Sequence, residues 1–80
     1  MARVVWSEPA ASVLRELPVK TRALILQKTR LLRQFPRMYP VQRRGRFRRH
    51  RRFLAGDWLV FYRVVGNAVY VRGLWPARIP

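Results

Sequence analysis

Three features of this 80-residue sequence predict a small α+β fold of order β-α-α-β-β-β. Two runs dense in β-branched and aromatic residues, Trp58 to Val65 and Ala68 to Trp75, meet at Gly66-Asn67. Apolar runs separated by two such residues signal a β-hairpin, because a tight primed turn needs the positive φ that Gly and Asn reach most cheaply. Upstream, Ala55-Gly56-Asp57 supplies another turn between Phe47–Leu54 and Trp58, so three antiparallel strands follow one another in a meander. Ahead of them lie two segments with apolar residues at helical spacing, split by Pro18, and a short β-prone start.

That start is Arg3-Val4-Val5-Trp6, with Trp6 heavy enough to anchor it in a core. Ser7 stands at a helix N-cap position, with Glu8 and Pro9 in the first turn, where a carboxylate and a proline are both favoured. Ala10, Val13, Leu14 and Leu17 then form one stripe of a helix of about three turns, ended by Pro18. A second helix is expected from Val19 to Phe35, with Leu24, Ile25, Leu31, Leu32 and Phe35 on its apolar side and Lys28 snorkelling at the edge. Two such helices present one apolar face for a sheet to cover. Pro36 and Pro40 bracket a loop. The most biased stretch follows, RRGRFRRHRR from Arg43 to Arg52. Phe47 and Phe53 punctuate it and it runs straight into the meander, so Arg46 to Leu54 is expected as a strand rather than a disordered basic arm.

Period-two alternation sorts the side chains of the hairpin. Trp58, Val60, Tyr62 and Val64 share one face; Leu59, Phe61, Arg63 and Val65 share the other. In the partner strand Val69, Val71 and Trp75 oppose Tyr70, Arg72 and Leu74. One face packs on the helices. The other mixes apolar side chains with Arg63 and Arg72, the mark of an interaction surface.

Composition narrows the function classes. The length fits one domain, residues 1–80, and 50% apolar content argues for an ordered chain. With no cysteine and one histidine, neither a disulfide framework nor a metal cluster is expected, and no cofactor is implied. No run reaches membrane-span length and the start lacks a signal-peptide apolar region, so the expected location is the cytosol. The charge is extreme, with 18 Lys+Arg against 3 acids for a formal net charge of +15. Arginine dominates, which favours bidentate contacts to phosphates or carboxylates. Such a field implies a polyanionic partner: nucleic acid, a ribonucleoprotein surface or an acidic protein.

The order of elements, together with RRFLAGDWLVFYRVVGNAVYVRGLWPAR from Arg51 to Arg78, resembles the RelE/ParE superfamily of bacterial toxins from type II toxin–antitoxin modules. The likeness spans nearly the whole chain, including Val4-Val5-Trp6-Ser7, Ala10 and Leu14, the Phe35-Pro36 end of the second helix, and Arg52, Gly56 and Trp58 to Arg63. It is strongest toward ParE-like members, although Trp75-Pro76 stands where their last strand reads His-Gly. RelE-type ribosome-dependent nucleases carry an arginine at the position of Leu59, and a tyrosine or histidine in a C-terminal extension for which this chain, ending at Pro80, has no counterpart. The resemblance therefore implies a plasmid-stabilisation type of growth-inhibiting toxin, neutralised by an acidic antitoxin in a hetero-oligomer. The target it implies is DNA gyrase, with ribosome-dependent mRNA cleavage as the alternative. A non-toxic basic nucleic-acid-binding module is a third reading.

Candidate residues follow from chemistry. RNA cleavage needs proton carriers beside cations on the phosphate. His50, set among arginines, is the candidate base, and Arg52 and Tyr62 complete the catalytic set should the nuclease alternative hold. Their structural alternatives are a solvated strand histidine and a core tyrosine. Arg43, Arg44, Arg46, Arg48, Arg49 and Arg51 are the candidate nucleic-acid-binding set. Arg63, Tyr70, Arg72, Trp75 and Arg78 are the candidate contacts to target or antitoxin.

Overall fold

The computed structural model describes residues 1–78. Its elements are β1 (Arg3–Trp6), α1 (Glu8–Glu16), α2 (Val19–Leu31), β2 (Arg51–Ala55), β3 (Trp58–Val65) and β4 (Ala68–Pro76). They form one sheet in the order β1-β4-β3-β2. The last three strands are the expected antiparallel meander. Both of its connections are two-residue loops opening on a glycine with positive φ, 61° at Gly56 and 56° at Gly66. Asn67 is not in that region, so Gly66 alone supplies the left-handed residue that such a turn requires. β1 joins from outside the meander, parallel to β4, with Val4 opposite Val69 and Trp6 opposite Val71. The sheet is thus mixed.

Both helices lie on one face, α1 against β4 and α2 against β2. The Ser7 hydroxyl ties the start of α1 to the sheet: it accepts from Ala10 N–H and donates to the Arg72 carbonyl, each at 3.2 Å. Between helices and sheet sit Ile25, Leu32, Val60, Tyr62, Val69 and Val71, all fully buried. α2 and its C-cap bury Ile25 and Leu32 as expected, together with Thr29, whereas the expected Leu31 and Phe35 are exposed. Residues 25, 29 and 32 lie one above another on a helix, and Leu31 is turned about 100° away. Thr29 is tolerated there because its hydroxyl donates to the Ile25 carbonyl at 2.7 Å. The helix also stops at Leu31, four residues early, and Phe35 falls in the turn beyond it. Lys28 runs along the sheet edge and donates to the Leu54 carbonyl at 2.9 Å, blunting the outer side of β2.

Two expectations about the strands are corrected. First, β2 begins at Arg51 instead of Arg46. Residues 42–50 close into a loop instead: Gln42 N–H donates to His50 O, Arg49 N–H to Gln42 O and His50 N–H to Phe47 O. Arg49 adopts φ 72°, which no strand accommodates. Second, the pairing shifts at Phe61/Tyr62: Tyr62 faces Val71, but Phe61 faces Gly73, leaving Arg72 as an extra residue in β4. A bulge of one residue inverts the alternation beyond it. Leu74, expected on the open face, is therefore in the core at 5% exposure, and Trp75, expected with Val71, points to the open face.

Candidate functional site

The face turned away from the helices is built around Phe61. Its register neighbours are Arg52 on β2 and Gly73 on β4. The arginine-rich loop folds back over this point and inserts Phe47. That ring stacks on Phe61 at 4.2 Å with 16° between planes, and meets the edges of Trp75 at 6.2 Å and His50 at 5.5 Å. Gly73 makes the insertion possible, because a Cβ there would lie 3.0 Å from Phe47 Cζ. Phe61 is left 8% exposed, although it lies on the open face. The Arg46 guanidinium sits 5.1 Å above the Trp75 ring, a cation–π pair at the rim. Between loop and sheet remains a recess of about 340 Å³ whose walls include Gln42, Arg44, Arg46, Arg52 and Trp75.

The structure divides the three candidate catalytic residues between two faces. Arg52 is exposed on the open face, and His50 is half-buried beside Phe47 with Nδ1 3.2 Å from the Arg48 carbonyl. Tyr62 lies on the opposite face, fully buried among the helices. Its hydroxyl has no hydrogen-bond partner. Burial pushes the phenol up to about 12, with the Arg51 charge pulling back only part of the way. A phenol held so far from water and from the other two is core material.

That burial gives a pH dependence with a definite sign. Unfolded, Tyr62 ionises near 10; folded, it stays protonated to about 12. Its contribution is intact below pH 10 and is lost as pH rises toward 12, because only the unfolded state releases the proton in that window. A difference of that size corresponds to roughly 2–3 kcal/mol. Tyr62→Phe should abolish this alkaline loss. It should also gain about 1 kcal/mol at neutral pH by removing an unsatisfied buried hydroxyl. Urea titrations at pH 7 and pH 11 on both proteins check this; an identical alkaline loss in the variant would sink it.

The remaining candidates fall into three places. Arg63 and Tyr70 face each other across β3 and β4 near the Gly66 turn. Arg72 is the exposed extra residue of the bulge, and Trp75 belongs to the Phe47 cluster. Arg78 lies 3.9 Å from Asp57 with both side chains largely exposed, a pairing worth little. The proposed contact set thus spreads along the β3–β4 hairpin and past its end rather than forming one pocket. Arg43, Arg44, Arg46, Arg48 and Arg49 are gathered, exposed, on the loop. Arg51 is separated from them: its guanidinium donates to the carbonyls of Arg37 and Tyr39 and secures the proline-bracketed loop. The sequence reading missed Phe47 as the loop's anchor and Gly73 as its seat. The signal was present, since a lone glycine inside a strand pattern marks a bulge or a close approach.

A four-stranded mixed sheet backed by two helices, with a basic aromatic front, defines a small α+β domain of the kind found in toxins of type II toxin–antitoxin systems. The chain belongs to the family described as ParE toxin of type II toxin-antitoxin system, parDE, whose model matches residues 4–79. No curated protein is a significant match in sequence. Among solved structures, a chain of the intact E. coli RelBE toxin–antitoxin complex is similar at TM-score 0.82 and 16% identity, covering 99% of this chain and 100% of that one. A chain of the archaeal RelE-RelB complex from Pyrococcus horikoshii OT3 is similar at 0.78 and 20%, covering 95% and 94%. A chain of the chromosomal ParDE system from P. aeruginosa is similar at 0.78 and 14%, covering 98% of each. At these identities the likeness to solved structures is one of fold.

Proposed function

We propose that this protein arrests bacterial growth by binding an essential target, DNA gyrase, and that an acidic antitoxin neutralises it. The observation that carries the binding reading is the separation of the proton carriers. Tyr62 is buried on the helical face while Arg52 and His50 sit on the open one, so the three candidate catalytic residues do not come together as an acid and base beside the cations. A domain built this way acts by contact. The membership in the ParE toxin family and the Leu59 position support the same reading. An antitoxin is proposed because similar chains occur in toxin–antitoxin complexes. The charge favours an acidic one, and Arg63 on β3, Arg72 and Trp75 on β4 and Arg78 just beyond it offer carboxylate and apolar contacts to an extended segment.

The test is expression of the chain alone and together with a cognate acidic antitoxin, sought in the adjacent reading frame. Growth should stop in the first case and resume in the second. Purified protein should provoke gyrase-dependent double-strand breaks and leave mRNA intact in a translating extract. Codon-positioned mRNA cuts that vanish in His50→Ala would overturn the gyrase reading in favour of ribosome-dependent cleavage. Normal growth with folded protein present would remove the toxin reading.

A further inference from the structure

We infer that the loop from Arg43 to Arg49 is a preformed clamp for the phosphate backbone of duplex DNA, and that this protein binds duplex DNA in its own right. Three observations carry it. The loop's five arginines have no acidic partner among the described residues, where the ion pairs are Glu8 with Arg15 and Asp57 with Arg78. The remaining acid, Glu16, lies at the end of α1. A polyanion is therefore the countercharge this loop lacks.

The loop is also held in shape before any partner arrives. Its backbone closes on itself through Gln42, and Phe47 pins it to Phe61 and Gly73. An ordered loop gives up little further conformational freedom on binding.

The third observation is strain. Arg49 is the one described residue other than glycine with positive φ. Glycine or asparagine would adopt that backbone more cheaply. Strain retained at an exposed side chain points to use of that side chain.

The partner's class follows from what the loop displays. Its one aromatic residue, Phe47, is turned inward against the sheet, and the nearby Trp75 ring carries Arg46. Readers of single strands need bare rings for bases to stack on. What the loop itself turns outward is guanidinium, suited to phosphates whatever the sequence, and the part-exposed Trp75 beside it is capped by Arg46. Duplex DNA presents one negative charge per roughly 1.7 Å of axis, the density such a cluster can use. The inference does not rest on gyrase being the target, because it is tested on the toxin alone.

Fluorescence anisotropy of a dye-labelled 20-base-pair duplex, titrated with the full chain between 50 and 300 mM salt, decides it. Binding should be independent of sequence. Arg49→Gly should raise the melting temperature by relieving the backbone, and at the same time weaken DNA binding several-fold near 0.1 M salt. Removing one phosphate-bound guanidinium should reduce the slope of log K against log salt by about 0.9. The double variant Arg46→Ala/Arg48→Ala should reduce it by about twice that, which keeps the test sound if Arg49→Gly misfolds. Arg30→Ala on the outer side of α2 removes the same charge as Arg49→Gly and should leave affinity within about two-fold of wild type, since a distant exposed charge is largely screened. Equal losses for the Arg30 and loop variants would mean that only net charge is sensed, and would overturn the clamp. So would tighter binding to a single-stranded RNA, or to polyglutamate, than to the duplex.

Discussion

Aspartate in place of Leu74 is expected to unfold the domain, whereas aspartate in place of Trp75 leaves it folded. Leu74 is 5% exposed and pairs with Val60 on the helical face. Removing its side chain forfeits about 2–3 kcal/mol of burial. Leaving a carboxylate there without a partner adds several kcal/mol more, or forces it to stay protonated. A domain of this length holds roughly 4–12 kcal/mol in total at the usual 0.05–0.15 kcal/mol per residue. The change therefore removes most or all of the stability. Trp75, at 41% exposure, gives up its edge packing on Phe47 and a cation–π pair with Arg46, together on the order of 1–2 kcal/mol. Its carboxylate would stand among arginines in the open. Circular dichroism and urea unfolding of the two variants read the difference directly. The reverse order, with the Trp75 variant unfolded and the Leu74 variant stable, would mean that β4 alternates without a break and that the bulge at Arg72 is absent.

Alanine in place of Phe47 should free the arginine loop from the sheet while leaving the helical core intact. The ring covers Phe61 and is itself half-buried, so the loss is expected at about 2–3 kcal/mol, below the range for a fully buried phenylalanine. The more telling effect is local. Trypsin needs an extended, mobile segment, and the docked loop, closed through Gln42 and His50, does not offer one despite its arginines. Cleavage between Arg43 and Arg49 should accelerate by at least about ten-fold in Phe47→Ala, with later cuts elsewhere unchanged. Valine at Gly73 should produce the same pattern from the other side, since its Cβ would meet Phe47 Cζ at 3.0 Å and branch further into the ring. Limited digestion followed by mass spectrometry locates the first cut. A Phe47→Ala loop as resistant as wild type would show that its own hydrogen bonds suffice to hold it.

Much of what depends on neighbours along the chain was legible before folding, although the second helix ends at Leu31 rather than at Phe35. Gly56 and Gly66 set two turns because few residues reach their backbone angles at low cost. Ser7 caps α1 with a hydroxyl three residues from the N–H it accepts. Alternation gave the correct facing of Val60, Tyr62, Val69 and Val71, all fully buried. The family likeness rested on the same local order, and the match over residues 4–79 agrees with it.

The rest depended on residues far apart in the chain, which meet only once it has folded. Nothing near Arg3–Trp6 says that it will lie parallel to a strand more than 60 residues later; the vacant side of β4 chose that. The bulge at Arg72 arises where Gly73 must lie beneath Phe47, a contact between residues 26 apart in the chain. That one extra residue turned Leu74 inward and Trp75 outward, reversing what alternation predicts. Phe47 likewise made a loop of a stretch whose composition suited a strand, because stacking on Phe61 buries more of the ring than an edge strand facing solvent could. Tyr62 left the candidate catalytic group for the reason that placed it correctly in the pleat: its face packs against the helices, and a side chain cannot serve both faces of a sheet.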